Sequence, residues 1–299
     1  MEEHVRCNLC GSDNQKLLFD THKLHDGKRG GIVRCRRCGL VYRNIRQKDS
    51  ISWENYQQQD YSNLSEDWIA GRKNIFSNCM DSLEVFRQHN RILDVGAGHG
   101  FFLQMCADRG WDCYGVEISR SAVDFAQREF GLSLSCSSLE QAHYPDEFFD
   151  VVTFWNVLDH LPNPKRTLQE TQRVLRSGGA VIVRCPNAAF HVPVRRVFTL
   201  SGHIHKTLKS IDPSVSHLYS FDKKSISHLL RESGFTKVKI SNAYLSWTTR
   251  HDARIGLVIR ITCRLAFELA RFFRCISFGK LVLSPSLLAI ATKLPNKHS

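Results

Sequence analysis

Short apolar runs alternate with amphipathic segments along most of the chain. The apolar runs predict strands near 91–95, 113–117, 132–136, 149–155, 180–184, 236–242 and 286–292. Apolar residues at helical spacing predict helices near 101–109, 119–130, 164–176 and 222–233, with Ser119 and Asp222 as N-caps. Strands that alternate with helices are typical of an α/β protein, so we expect a doubly wound, mostly parallel sheet of seven strands.

Two further amphipathic segments flank this pattern. Between Ser65 and Gln88 the apolar spacing predicts a helix that precedes the first strand and would cover a ligand bound at the sheet, with Ser65 as its N-cap. In 260–274 the charged residues fall within an arc of about 120° on a helix, opposite an apolar face. Two interpretations of this second helix stay open. It packs on its own domain, or it makes a peripheral contact with an anionic membrane or covers a lipid-linked acceptor.

These changes of pattern divide the chain into four parts. We expect a small cysteine-containing module at 1–48, a linker at 49–65, a main domain at 66–249 with 286–299, and an amphipathic helical insertion at 250–285. The chain of 299 residues is long enough to bury one large core beside a small appendage.

Composition and the start of the chain favour a cytoplasmic protein. The content of 42% apolar and 23% charged residues is ordinary for a soluble globular protein. The first residues, Met-Glu-Glu-His, lack the basic-then-apolar pattern of a secretory signal, and no uncharged apolar run reaches about 18 residues. We therefore expect free, buried or metal-bound thiols rather than disulfides, and membrane association only through 260–274.

The formal charge of +12 leaves the partners open. Basic residues concentrate in 28–48 and in 250–297. Such patches mark nucleic acid or anionic membrane in some proteins, and a solvated basic surface in others. Composition alone does not choose between these interpretations.

Two copies of Cys-x-x-Cys-Gly lie near the N-terminus, at Cys7, Cys10 and Gly11 and at Cys35, Cys38 and Gly39. Two residues between thiolates let both sulfurs reach one tetrahedral ion, and four thiolates close its coordination shell. Short strands predicted near 17–19 and 31–33 complete a zinc-ribbon pattern, so we expect a structural zinc site. A redox Cys-x-x-Cys pair would begin a helix in a βαβ unit, and neither pair has that setting.

Three glycines alternate with other residues after the first strand of the main domain, in Asp94-Val95-Gly96-Ala97-Gly98-His99-Gly100. Glycines at a strand-to-helix turn let the backbone approach a ligand that any Cβ would push away. A dinucleotide site has Gly-x-Gly-x-x-Gly, but here Phe101 stands where the third glycine would be. Asp94 would repel a phosphate. The spacing therefore predicts a nucleoside-bearing ligand that lacks phosphate and carries positive charge.

The segment Asp94-x-Gly96-x-Gly98-x-Gly100 resembles the first motif of class I S-adenosylmethionine-dependent methyltransferases. S-adenosylmethionine carries a sulfonium and an ammonium but no phosphate, in agreement with the predicted ligand. Four more blocks resemble the family in the family's order, and the resemblance covers roughly residues 66–292. They are Cys113–Glu117, Phe148–Pro164, Arg173–Asn187 and His217–Phe235. The resemblance implies a Rossmann-like methyltransferase fold with S-adenosylmethionine as cofactor.

The resemblance also implies roles for the residues around the glycines. The backbone at Gly96 and Gly98 would meet the methionyl part of the donor, and Asp94 would orient its ammonium. Glu117 ends the second strand, where a carboxylate accepts hydrogen bonds from the two ribose hydroxyls.

The residues implied for the adenine and the methyl group follow the family's pattern less closely. Many relatives carry an Asp after the third strand, whereas this chain has serine there. The Ser138 hydroxyl, with the Ser138 and Leu139 amides, would then hold the adenine. Trp155 and Asn156 end the fourth strand beside the methyl group, although Trp155 also suits a core position.

A methyl acceptor with a hydroxyl needs a base that removes its proton. Histidine suits this task near neutral pH. His160 follows the fourth strand beside Asp159, and His217 precedes the last predicted helix, so both are candidate catalytic bases.

We expect O-methylation of a small or lipid-linked metabolite, such as a sugar or surface-glycan precursor. A zinc ribbon fused to a class I methyltransferase recurs among enzymes of that kind. The alternative is a nucleic-acid-binding or RNA-methylating protein that uses the basic ribbon. The intact glycine motif argues against a lost cofactor site. Asn156-Val-Leu-Asp159 stands in place of the Asn/Asp-Pro-Pro-Tyr loop of base-amino methylases.

Overall fold

The computed structural model describes residues 2–20, 31–47, 64–200, 217–243 and 281–294, with a few isolated positions between 265 and 277. The predicted linker at 49–65 lies outside these residues except for its last two positions. The predicted helix at 260–274, and with it most of the insertion at 250–285, also falls outside them. Across the described ranges, no helix combines the length and the apolar character that crossing a bilayer requires.

Most strands and helices of the main domain begin and end close to the predicted bounds, but one strand begins at Leu175 rather than near 180, and the helix Ala188–Leu200 was not predicted. The strands are β1 (Glu2–Glu3), β2 (Gln15–Asp20), β3 (Gly31–Cys35), β4 (Val41–Asn44), β5 (Arg46–Gln47), β6 (Arg91–Val95), β7 (Asp112–Val116), β8 (Phe149–Trp155), β9 (Leu175–Pro186), β10 (Tyr219–Ser220), β11 (Phe235–Asn242) and β12 (Ser286–Lys293). The helices are α1 (Glu66–Glu84), α2 (Phe101–Ala107), α3 (Arg120–Phe130), α4 (Pro164–Val174), α5 (Ala188–Leu200) and α6 (Lys223–Glu232), with a 3-10 turn at Leu139–Gln141. As predicted, Ser65, Ser119 and Asp222 cap α1, α3 and α6 by accepting a backbone N–H of the first turn.

The central sheet of the described chain has six strands in the order β11-β12-β9-β8-β6-β7. β7, β6, β8 and β9 run parallel, and β12 and β11 join them antiparallel. β8 is buried at every position, as expected for a strand covered on both faces. The arrangement confirms the predicted α/β class with a mixed, mostly parallel sheet.

The predicted strand at 132–136 is wrong, and the described sheet therefore has six strands rather than seven. This segment reaches the sheet edge through a single parallel bridge between Val116 and Ser135. Directly afterwards the Ser137 N–H donates to the Ser135 carbonyl, and the two serine hydroxyls lie 2.8 Å apart. Because these local bonds turn the chain, no ladder extends beyond the bridge.

Apolar clusters cover the two faces of the central sheet. Successive residues of one strand point to opposite faces, and accordingly Val151 and Val152 belong to different clusters. One cluster joins the sheet to α1 and α2 through Phe76 and Phe102, and the other joins it to α4 and α6. The helices thus cover the faces of the sheet and leave the carboxyl ends of the parallel strands open, where proteins of this class bind their ligands.

The N-terminal module shares its sheet with the main domain. Its four strands have the order β10-β4-β3-β2, and β10 comes from residues 219–220. The strands predicted near 17–19 and 31–33 are present as β2 and β3. Leu9 and Tyr42 of the module pack in the same cluster as Tyr219 and Phe221. The module is therefore continuous with the core of the main domain.

Asp150 of β8 holds the segment that leads into β6. It is fully buried, and one carboxylate oxygen accepts the backbone N–H groups of Gln88 and His89 at 3.0 and 2.7 Å. The other oxygen accepts Nε of Arg176. Burial by itself would raise the pKa of Asp150, but the bonds from Arg176 and the two amides outweigh it and lower the pKa below its usual value.

We predict that Asp150→Ala lowers the free energy of unfolding by about 3–5 kcal/mol, because it leaves the partly buried Arg176 guanidinium and two backbone amides without their acceptor. Urea unfolding followed by circular dichroism measures this change. Asp81→Ala is the matched control, since its ion pair with Arg109 is 3.0 Å long but Asp81 is 96% exposed. An equal effect of the two substitutions would contradict the role of Asp150.

The lowered pKa also fixes the pH dependence of this contribution. A carboxylate whose pKa is depressed by folding stabilises the protein above the unfolded value of about 3.9. That stabilisation is lost as the pH falls through the folded pKa. The urea midpoints of the unaltered protein and of Asp150→Ala should therefore converge on acidification below about pH 4.

Candidate active site

A cleft of about 1170 Å³ opens at the carboxyl ends of the parallel strands. Its walls come from the loops after β6, β7, β8 and β9, with α1 on one side. All the sequence-predicted site residues outside the cysteine module line it, except Gly100. They are Asp94, Gly96, Gly98, Glu117, Ser138, Leu139, Trp155, Asn156, His160 and His217. Residues spread over more than 120 positions of the chain are thus brought to one cavity.

The glycine turn after β6 uses the conformational freedom of all three glycines. Gly96, Gly98 and Gly100 have φ values of 71°, 54° and 77°. A Cβ on Gly96 would lie 2.5 Å from Val157, so no larger residue fits there. A Cβ on Gly98 would meet no atom within 4 Å, because this residue faces open space. The turn therefore presents bare backbone to the cleft at Gly98.

Glu117 ties the glycine turn to the end of β7. Its carboxylate accepts the Gly98 N–H at 2.8 Å and the N–H groups of Ile118 and Ser119 at 2.8 and 2.9 Å. The backbone thus orients the carboxylate beside the bare glycine. A ligand hydroxyl that reaches Glu117 would meet a rigidly placed acceptor.

Asp94 is buried at the end of β6, where it lines the cleft, and its pKa is strongly raised. Its exposure is 2%, and its carboxylate accepts the Thr153 hydroxyl at 2.6 Å. Burial raises the pKa of Asp94 to about 8, and the nearby Glu117 adds to the rise. A cationic ligand beside Asp94 would favour the ionised form and so be bound more tightly. Two acids beside bare backbone suit a cation and disfavour a phosphate.

The loop after the single bridge holds its polar groups in local bonds. The Ser138 N–H donates to Oε1 of Gln141 at 3.2 Å, and Leu139 is buried. The Ser138 amide is therefore already engaged, which differs from the expectation that it faces adenine freely. Ser138 and Leu139 both line the cleft wall.

Trp155 and Asn156 are held by the protein at the end of β8. Trp155 is 5% exposed, and its ring packs against Phe76 and Phe102 with centroids 5.2 and 5.0 Å away. Asn156 has a φ of 60°, and its side-chain oxygen accepts a hydrogen bond from Arg184. Trp155 is thus mainly a core residue whose edge reaches the cleft.

Asp159, His160 and His217 meet in the wall of the same cleft. Nδ1 of His217 contacts Oδ2 of Asp159, and Nε2 of His160 lies 3.5 Å from that oxygen. The two imidazole centroids are 4.4 Å apart. Burial alone would raise the pKa of Asp159, but the two histidines outweigh it and lower that pKa. Burial lowers the pKa of His160, with a further contribution from His217, and this favours a neutral imidazole.

Sequence reasoning missed two arginines of the cleft. Arg184 is 6% exposed near the end of β9, and its burial lowers its pKa to about 10. Arg72 of α1 lies above the Trp68 ring at 5.1 Å and faces the same cavity. A lone charge in the apolar run 180–185 was the available signal for Arg184. Arg72 had none, because a charged residue on a surface helix is ordinary.

The four predicted metal-ligand sulfurs also converge. The sulfurs of Cys7, Cys10, Cys35 and Cys38 lie within 4.8 Å of one another, with contacts of 3.4 and 3.5 Å between the two pairs. Tetrahedral zinc thiolates at 2.3 Å are about 3.8 Å apart, so the cluster is compatible with one zinc ion. The N–H groups of Leu9 and Cys10 point at the Cys7 sulfur, as the outer shell of such a site requires. All described cysteines are free thiols.

Known proteins resemble the chain in sequence and in fold. A family model described as a methyltransferase domain matches residues 68–240. A ubiquinone biosynthesis O-methyltransferase of Azoarcus sp. (strain BH72) is 31% identical over 160 residues, which cover 50% of this chain and 66% of that protein.

Among solved structures, a SAM-dependent methyltransferase from Archaeoglobus fulgidus has a TM-score of 0.50 at 19% identity and covers 83% of this chain and 100% of its own. Haemonchus contortus phosphoethanolamine N-methyltransferase 2, solved with S-adenosyl-L-methionine, has a TM-score of 0.51 at 16% identity, covering 85% of this chain and 63% of its own. At these identities the likeness shows the fold. Because the family model spans more than half of the chain, this protein belongs to the methyltransferase family, and its fold is that of S-adenosylmethionine-dependent methyltransferases.

Proposed function

We propose that this enzyme methylates a hydroxyl oxygen of a small or lipid-linked metabolite, such as a sugar or surface-glycan precursor. The observation that carries the proposal is the contact of Asp159 with His160 and His217 inside the cofactor cleft. A hydroxyl must lose a proton as its oxygen becomes methylated, and a carboxylate-oriented histidine is suited to take it. The Azoarcus relative, named as an O-methyltransferase, supports oxygen as the acceptor atom.

The donor end of the cleft fits S-adenosylmethionine, which when bound supplies a methyl group on a sulfonium that needs no further activation. The bare backbone at Gly98 leaves room for the methionyl part, Gly96 lines the same cleft, and Asp94 faces the ammonium. Glu117 is placed to accept the ribose hydroxyls. These residues bind and align, so their contribution is proximity rather than bond chemistry.

The other donor contacts follow from the cleft wall. Ser138 and Leu139 line the same cleft as Glu117, and in this proposal the Ser138 hydroxyl and the backbone of Leu139 hold the adenine. Trp155 and Asn156 line the same cleft as the two histidines, and we place the reacting methyl group beside them.

At the acceptor end, Asp159 orients His217 and His217 receives the proton of the acceptor hydroxyl. His160 contacts the same carboxylate at 3.5 Å and is the second candidate for this role. Because the pKa of His160 is lowered, its ring is neutral near pH 7 and able to accept a proton. Asp159 is fully buried, whereas His160 and His217 keep 21% and 12% of their side chains exposed and line the cleft, where an acceptor hydroxyl can reach them.

The N-terminal module holds a structural zinc ion in this proposal. Cys7, Cys10, Cys35 and Cys38 would close a tetrahedral shell and leave no open position for catalysis. The amide groups around the sulfurs would stabilise the thiolates.

We predict that Glu117→Ala weakens S-adenosylmethionine binding about 10- to 100-fold, the size of lost hydrogen bonds to a charged group. Isothermal titration calorimetry measures the affinity. Glu129→Ala, which removes an exposed acid paired with Arg128 on the next helix, should leave the affinity unchanged. An unchanged affinity in Glu117→Ala would refute the ribose assignment.

We predict that His217→Asn slows methyl transfer about 10²- to 10⁴-fold, as expected for loss of a general base. The assay follows transfer of an isotopically labelled methyl group from S-adenosylmethionine to cell-extract metabolites, with the products identified by mass spectrometry. His228→Asn, at an exposed position of α6, is the control. A full rate in His217→Asn together with a slow rate in His160→Gln would assign the base to His160. Full rates in both variants would contradict the proposal that a histidine is the base.

We predict about one zinc ion per chain by metal analysis, and its loss in Cys35→Ser together with a lower urea midpoint. Removal of one thiolate opens the shell, and the module is too small to hold a core by itself. Cys136→Ser changes a half-buried thiol outside the cluster and should keep the metal. Retention of zinc in Cys35→Ser would show that the cluster is not the site.

A further inference from the structure

The strand that follows His217 belongs to the sheet of the cysteine module. β10 pairs antiparallel with β4, with Tyr219 opposite Tyr42 and Ser220 opposite Val41. The Arg43 N–H donates to the Leu218 carbonyl at 2.9 Å and extends the pairing to the residue after His217. The backbone position of His217 is therefore set by the module.

The same short segment is also bonded to the loop that carries Asp159. The N–H groups of Leu218 and Tyr219 donate to the Asp159 carbonyl at 3.0 and 3.1 Å. One carbonyl thus receives two consecutive amides directly beside the His217–Asp159 contact. Movement of β10 would separate the imidazole from the carboxylate.

The module holds the Asp159 loop from a second point. Asn8 lies between Cys7 and Cys10, and its side-chain amide donates to the Pro162 carbonyl at 3.1 Å. The Tyr219 hydroxyl donates to the same carbonyl at 2.9 Å. Pro162 lies three residues after Asp159 and lines the cleft. Both partners of the His217–Asp159 contact are therefore anchored to the module.

We propose that the cysteine module is the positioning element of the acceptor site, with Asn8 and Tyr219 as positioning residues that keep His217 against Asp159. This inference rests on the proposed role of His217 as base. The donor end of the cleft makes no such contact in the described residues, since Glu117 is held by the glycine turn and by its own helix start. The module therefore controls the geometry of the acceptor end and leaves donor binding unaffected.

Protein labelled with ¹⁵N-histidine tests this coupling, with the His217 ring resonances assigned by their absence in His217→Asn. In Asn8→Ala and in Tyr219→Phe we expect these resonances to shift, because the contact with Asp159 loosens. Amide hydrogen exchange at Leu218 and Tyr219 should accelerate about threefold to tenfold, the size of one lost hydrogen bond. The affinity for S-adenosylmethionine should stay within about twofold, since the donor end is untouched.

Asn14→Ala is the matched control, because Asn14 is an exposed asparagine of the same module. It should change neither the His217 resonances nor the exchange rates. Unmoved His217 resonances in both Asn8→Ala and Tyr219→Phe would overturn the proposal, as would an equal shift in Asn14→Ala. Neither readout involves methyl transfer, so failure of the base role of His217 would be seen separately, in the assay with His217→Asn.

Discussion

The buried carboxylate of Asp159 is the constraint on which the acceptor end of the cleft depends. Its side chain contacts two histidines and its carbonyl accepts two amides. An ionised carboxylate away from water costs several kcal/mol unless its partners stay in place. The loop, β10 and the cysteine module are therefore coupled. Each holds a neighbour of the same charged group, and none can move without exposing it to the apolar core.

The donor end of the cleft is organised by different electrostatic interactions. Asp94 has a raised pKa, and Glu117 stands nearby with its oxygens fixed by backbone amides. A cationic ligand beside Asp94 would restore the ionised form of that carboxyl, so the two acids and the bare glycine backbone suit a cation better than a phosphate. In the proposed assignment, the shape of the turn and the charge of the acids favour the same donor. This agreement explains why the donor follows from a short piece of chain.

The two ends of the cleft differ in how they are assembled. The donor end uses strand ends and turns that follow one another along the chain, as parallel strands of a doubly wound sheet allow. The acceptor end joins segments near residues 8, 160 and 217, which only packing brings together. The acceptor end can thus change without a change in the donor end, because the two are built from different segments.

Features that depend on a few neighbouring residues followed from the sequence alone: the glycine turn at 96–100, the caps at Ser65, Ser119 and Asp222, the cysteine pairs and most strands. Local backbone preference and side-chain spacing determine these. Tertiary structure decided the rest. β10 completes the sheet of the module, and His160 and His217 contact one carboxylate. Arg184 lies in the cleft, and the segment 132–136 forms only a single bridge. Such pairings gain their free energy from burial and hydrogen bonds between distant segments, which no local pattern specifies.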